Sequence, residues 1–180
     1  TWCLPAHNGM GVGNADALPD MDDYVLDLYQ SETGALLAEI YYLFKDKFDE
    51  YSKNINKRLV KNLMDRGITP FNTNTEYWWM GFNAKEDDII NNWNPWITSN
   101  VLFVSLVLKE GSTIQKAAVV LDEYVKRNPK DGGCDEGPTY WFQAGVKLIE
   151  AASYMKYATG IDVTKDEMLK NCAEFNLKAN

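Results

Sequence analysis

An all-α fold of about six helices is predicted by three observations. Apolar residues recur at three- and four-residue steps along most of the chain, no segment alternates with period two, and glycines and prolines punctuate the periodic runs. The connections alternate between short and long, which predicts antiparallel helical pairs with the long loops gathered at one end.

Residues 1–20 lack periodicity and carry Pro5, Gly9, Gly11, Gly13 and Pro19, so an irregular entry segment is expected. From Asp22 the pattern turns helical, with Tyr24, Val25, Leu28, Leu36, Leu37, Ile40, Tyr41 and Phe44 on one stripe. Gly34 inside that stripe marks an expected kink or break. A second helix is predicted from Glu50 to Arg66, with Ile55, Leu59, Leu63 and Met64 inward. Its basic residues Lys53, Lys57, Arg58, Lys61 and Arg66 form the solvated face, and Gly67 followed by Pro70 is expected to end it. Residues 69–91 form a long aromatic, asparagine-rich connection. Phe71, Tyr77, Trp78, Trp79 and Phe82 are costly to leave in water, so it is expected to be ordered and functional. Pro95 suits a first helical position, and the run from Ile97 to Leu108 is apolar nearly all round, as in a helix buried on several sides. Ser112 is the expected cap of a helix reaching Arg127, and Thr139–Thr159 reads as a helix closed by Gly160. Thr164 with Glu167 reads as the capping box of a last helix.

The 180 residues make one domain or part of a larger one. A net charge of -8 argues against nucleic acid as the main partner, since phosphate binding needs a basic stripe. No apolar run approaches the ~20 residues of a membrane-spanning helix, so no membrane partner is expected. The chain opens on Thr1 and reads as a mature or excised segment. Cys3, Cys134 and Cys172 are odd in number and lack metal-ligand spacing, which predicts thiols rather than a disulfide framework or a zinc site. A single Cys3–Cys172 or Cys134–Cys172 bridge stays open. No cofactor is expected.

The stretch NNWNPWITSN, residues 91–100, sets Trp93 and Trp96 among Asn91, Asn92, Asn94 and Asn100, just before the most apolar run. Amides that hydrogen-bond and indoles that stack on sugar faces suit a carbohydrate. Together with DGGCDEGPTYW (131–141), TGALLAEIYYL (33–43) and WCLPAHN (2–8), it resembles the catalytic domain of the heparinase II/III-like polysaccharide lyases. The resemblance spans most of the chain. It implies an incomplete α/α toroid over 1–180, with a groove at the loop end; the rest of the toroid and a β-sandwich domain would lie beyond. It implies β-elimination on an acidic polysaccharide, heparin- or heparan-sulfate-like or a related glycosaminoglycan, and a periplasmic or secreted location.

That chemistry has three demands: neutralisation of a uronate carboxylate, a base for the neighbouring carbon's proton, and an acid for the leaving oxygen. By resemblance Asn92 or Asn94 is the neutralising amide. Glu136, in its Glu-Gly-Pro-x-Tyr motif, is a proton donor where burial raises its pKa, and Tyr140 is the nearby phenol. His7, Trp78, Trp79, Trp93, Trp96, Asn100 and Trp141 are the expected substrate contacts. Gly132 and Gly133 stand near where some members carry a histidine, and His7 is the lone histidine. The segment alone is therefore expected to be inactive, and its open hairpin faces to favour self-association.

Plainer readings stand beside these. Asn92 or Asn94 serves as a helix cap, Trp93 and Trp96 as core, Glu136 as a helix-start carboxylate, and Asp131 as part of a Pro-x-Asp-Gly turn. Trp78 and Trp79 point opposite ways on an extended segment. Two rival functions remain. One is a glycoside hydrolase pairing Asp131, Asp135 or Glu136 with Glu76 or Asp88. The other is a non-catalytic glycan-binding module. The acidic net charge favours a weakly sulfated or merely uronate-bearing glycan.

Overall fold

The computed structural model describes residues 2, 4, 7, 25–134 and 136–179, apart from the side chains of 176 and 179. Among them lie six helical rods and no strand, so the chain is all-α. These are α1 (Leu28–Tyr51), α2 (53–73), α3 (Trp93–Leu108), α4 (Gly111–Arg127), α5 (138–159) and α6 (Glu167–Ala179), with a 3-10 turn at Trp78–Met80.

Cross-helix contacts give the arrangement. Asn56 of α2 donates to Lys45 O of α1 at 2.7 Å, while Gln30 at the start of α1 donates to Arg66 O far along α2, so the two are antiparallel. Asn100 of α3 donates to Ser31 of α1 at 3.1 Å, and Val104 lies 3.8 Å from where Gly34 would carry a Cβ. Partner numbers rise together there, so α1 and α3 run parallel. The pairs Asn100–Lys147 and Phe103–Tyr154 align α5 with them in the same sense. The starts of α1, α3 and α5 therefore share one end of the molecule. The core clusters about α3, whose Ile97, Val101, Leu102 and Val104 are buried.

Several boundaries differ from those expected, each for a local reason. The proposed start at Asp22, together with Tyr24, falls outside the described residues, as do most of the entry segment, Cys3 and Asp135. The helix observed begins after Asp27, whose carboxylate accepts from Gln30 N at 2.7 Å. Gly34 does not break α1; it is buried, with Val104 at ordinary contact distance. Leu36 and Phe44, expected inward, are exposed along with Tyr42 and Leu43, so the second half of α1 leaves an apolar flank open. A break falls at Ser52, which accepts from Asn54 N at 3.2 Å and starts α2.

Gly67 and Pro70 do not end α2. A π turn at Met64–Ile68 shifts the hydrogen-bond ladder, and Arg66 O, which an α-helix would offer to residue 70, takes the Gln30 amide instead. The helix runs on to Thr73, which removes the first part of the expected loop. Pro95 is the third residue of α3, not the first. Glu110, not Ser112, precedes α4, and α5 begins at Pro138 and holds a second π turn at Phe142–Val146. Gly160 closes α5 in the left-handed region as expected (φ 76°). Asp166, rather than Thr164, accepts from Met168 N at 2.9 Å and opens α6.

The Pro-x-Asp-Gly turn is present. Asp131 accepts from Gly133 N at 2.9 Å, and Gly132 sits at φ 78°, where a Cβ would meet Cys172 N at 2.2 Å. Gly132→Ala is therefore expected to lose about 1–3 kcal/mol from the backbone conformation and more from the clash. Gly111→Ala, in open space at the start of α4, should be neutral or slightly stabilising. Urea denaturation of both variants checks this, and equal stabilities would refute it.

No disulfide joins Cys134 and Cys172. Cys172 is buried, and that burial, followed by the nearby Asp131 and Asp166 charges, pushes its thiol up to about 11. The thiolate is the reactive form, so a raised value lowers reactivity. In a Cys3→Ser background near pH 8, the half-buried Cys134 should react with a disulfide reagent while Cys172 waits for denaturant; prompt labelling of both would contradict this.

Candidate functional site

The start of α3 separates the capping role from the ligand role. Asn91 does the capping: its Oδ1 accepts from Trp93 N at 3.0 Å. Asn92 makes no capping bond, and its Nδ2 donates instead to the carboxylate of Glu136. The Asn92 side chain is buried, and its Oδ1 has no hydrogen-bond partner among the described residues. A buried acceptor left in that state costs about 1–3 kcal/mol, which a donor on a ligand would recover.

Glu136 itself is exposed, on the loop before α5, so the burial that a proton-donor role required is absent, and it serves as an acceptor for Asn92. The loop is held by the Asp131 turn, by Gly137 N donating to Cys134 O at 2.9 Å, and by Trp141 Nε1 donating to Gly132 O at 3.2 Å. Trp141 is thus a positioning residue, buried against Gly145, rather than a substrate contact.

His7 is brought to the same end by Asp27. That carboxylate is fully buried and accepts from Leu4 N at 3.0 Å and from Gln30 N, and it lies 2.7 Å from His7 Nδ1. A carboxylate accepts, so Nδ1–H of His7 is the donor to Asp27, and Nε2 is the ring nitrogen that Asp27 does not hold. The imidazole meets Trp93 edge-on at 4.9 Å, and Trp78 is a second aromatic neighbour of Trp93, at 5.3 Å. Trp78 is exposed and Trp79 buried, opposed as expected, but on a 3-10 turn and not on an extended segment.

Farther along the same face of α3, at four-residue steps, stand Trp96 and Asn100. Trp96 Nε1 donates to Glu32 at 2.5 Å, and Asn100 joins Ser31 of α1 to Lys147 of α5.

Other candidates fall elsewhere. Asn94 is fully buried and donates to Met80 O at 3.3 Å and Val120 O at 3.0 Å, so it fastens α3 to its neighbours and is not placed to neutralise a substrate. Trp79 stacks between Tyr77 and Phe71 in the core. Tyr140 is exposed and makes no hydrogen bond to Asn92, Glu136 or His7 among the described residues. Of the hydrolase carboxylates, Glu76 accepts from Asn83 at 2.9 Å, Asp88 from Lys85 N at 2.8 Å, and Asp131 belongs to its turn. Three contributors went unread in the sequence: Asp27, Glu32 and Lys147. Asp27 carried a usable signal, a carboxylate one position before the first periodic leucine. Lys147 and Glu32 looked like ordinary surface charges.

The chain matches no known family model and no curated protein. The likeness to the polysaccharide lyases rests on its short motifs alone.

Asp27→Ala should cost about 2–4 kcal/mol, combining a lost cap with unpaired buried donors. Asp27→Asn keeps the cap and should recover part of that. Urea midpoints give the stability, and the His7 ring resonances should shift in both variants. An alanine variant as stable as the parent would remove Asp27 as the anchor.

Proposed function

We propose that this chain is the substrate-holding part of a polysaccharide lyase, built on an incomplete α/α toroid and acting by β-elimination on uronate-containing polysaccharides. The observation that carries the reading is the Asn92–Glu136 pair: an amide freed from capping and already donating to a carboxylate. A uronate carboxylate takes the place of Glu136 on that amide. The hydroxyl-bearing ring then supplies the donor that Asn92 Oδ1 lacks, and its face lies along Trp93 and Trp78. The parallel arrangement of α1, α3 and α5 supports an anionic ligand, since their N-terminal ends carry partial positive charge.

In the reaction so proposed, His7 Nε2 removes the proton beside the uronate carboxylate, and the electron pair becomes the ring double bond. The 4-linked oxygen departs and takes back, from the His7 imidazolium, the proton that Nε2 has just removed. The Asn92 amide stabilises the charge that builds on the substrate carboxylate. The alternation of parallel helices with returning ones is what hairpins of a toroid would give.

Calorimetry with an unsulfated glucuronate–N-acetylglucosamine hexasaccharide tests the binding. Asn92→Ala should weaken it by about tenfold or more. Absorbance of the unsaturated uronate tests the chemistry, with the chain alone and with its natural flanking sequence. His7→Ala should abolish that absorbance while binding survives. New reducing ends without absorbance would establish hydrolysis instead, and binding without either signal would leave a glycan-binding module.

A further inference from the structure

A cavity of about 400 Å³ opens between α1, α3 and α5, beside Trp96 and beyond the Asn92 pair. Its wall combines the carboxylates of Glu32, Glu39 and Glu150 with Lys147, Asn100 and Tyr154. The single ammonium is already committed. Lys147 Nζ donates to Asn100 Oδ1 at 3.2 Å and to Glu150 at 3.0 Å, and it stands 3.8 Å from Glu32. Glu150 is engaged as well, accepting from Lys147 and from Ser99 at 3.4 Å. Burial, then the Glu150 contact, pushes the Tyr154 phenol above its usual range, so it remains a donor to that carboxylate. What is left facing the cavity is acceptor capacity. Glu39 makes no ion pair among the described residues, and Glu32 is held only by the indole N–H and the distant ammonium.

Three carboxylates against one neutralised ammonium repel a sulfate or a second uronate and welcome hydroxyl or amide donors. The wall also offers Phe103 and Tyr154, whose rings lie 5.3 Å apart, as an apolar face. The cavity lies farther along α3 than the first site, with Asn100 in its wall. Asn92, Trp96 and Asn100 lie on one face, and eight residues separate the two asparagines. At 1.5 Å per residue that is roughly 12 Å, more than one sugar ring and within the span of a short oligosaccharide.

We propose that this cavity is a second sugar subsite that selects a neutral, unsulfated ring of the same chain whose uronate is held at Asn92. The inference rests on the glycan-binding reading above and narrows it to polysaccharides without sulfate at that position. The selectivity is built by Glu32 and Glu39 as hydroxyl acceptors, with Trp96, hydrogen-bonded to Glu32, between the two subsites.

The test compares two hexasaccharides of equal length by calorimetry on the whole chain: unsulfated glucuronate–N-acetylglucosamine and its heavily sulfated counterpart. The wild type should favour the unsulfated one by about tenfold or more. Glu39→Lys, at an exposed position that leaves the packing alone, should bring that preference below about threefold by strengthening the sulfated ligand. Glu32→Gln should narrow it in the same direction. Equal affinities in the wild type, or a preference unchanged in both variants, would overturn the subsite. If Asn92→Ala still weakens both ligands in that case, the first site stands and the second falls. If the wild type binds neither hexasaccharide, both readings fall together.

Discussion

Everything in this molecule is arranged around a helix with neighbours on every side. α3 touches α1, α4 and α5, yet its sequence carries Asn94, Thr98, Ser99, Asn100 and Ser105, all buried. Polar groups removed from water must find partners. Most find them on other rods: Asn94 on Val120 O of α4, Asn100 on Ser31 of α1 and Lys147 of α5, Ser99 on Glu150. Because these bonds reach three different helices, together they set the rotation of α3 about its axis. That rotation decides which residues look outward at its start, and so places Asn92 against Glu136 and Trp93 against His7.

The parallel alignment of α1, α3 and α5 has an electrostatic counterpart. Each helix start carries the equivalent of about half a positive charge. Asp27 answers it at α1, and the Glu136 carboxylate lies by the amide at the start of α3. An acidic chain with a net charge of -8 thus places two of its own carboxylates against helix starts at one end. The resemblance to lyases and the acidic composition pull in different directions only when charge is counted over the whole surface. Counted locally, the two are compatible.

The helices were legible because their apolar periods are long, and the buried character of α3 was plain from a run with almost no polar face. The boundaries were less legible, since they depend on contacts between distant residues. Pro70 reads as a stop until Gln30, forty residues away in sequence, is seen to occupy the carbonyl that proline leaves idle. The Asn-Trp cluster was legible as chemistry but not as geometry. Asn91, Asn92 and Asn94 are equivalent as letters, yet one caps, one meets Glu136 and one braces the core. Only the helical phase, with α3 starting at Trp93 rather than Pro95, tells them apart. Trp141 was read for its indole face and is used for its N–H.

The π turns in α2 and α5 say something about how these rods are built. A π turn spends one residue more than an α turn over the same advance, so the helix beyond it is rotated relative to the helix before. In α5 this sits between Trp141, which holds the loop of Glu136, and Leu148 and Ala152, which face the core. In α2 it sits between Leu63 and Phe71, both buried. Each rod is in effect two short helices with independent facing, joined without a loop. Strict helical phase would force a choice between a well-packed shaft and a well-aimed tip, and the extra residue dissolves that choice.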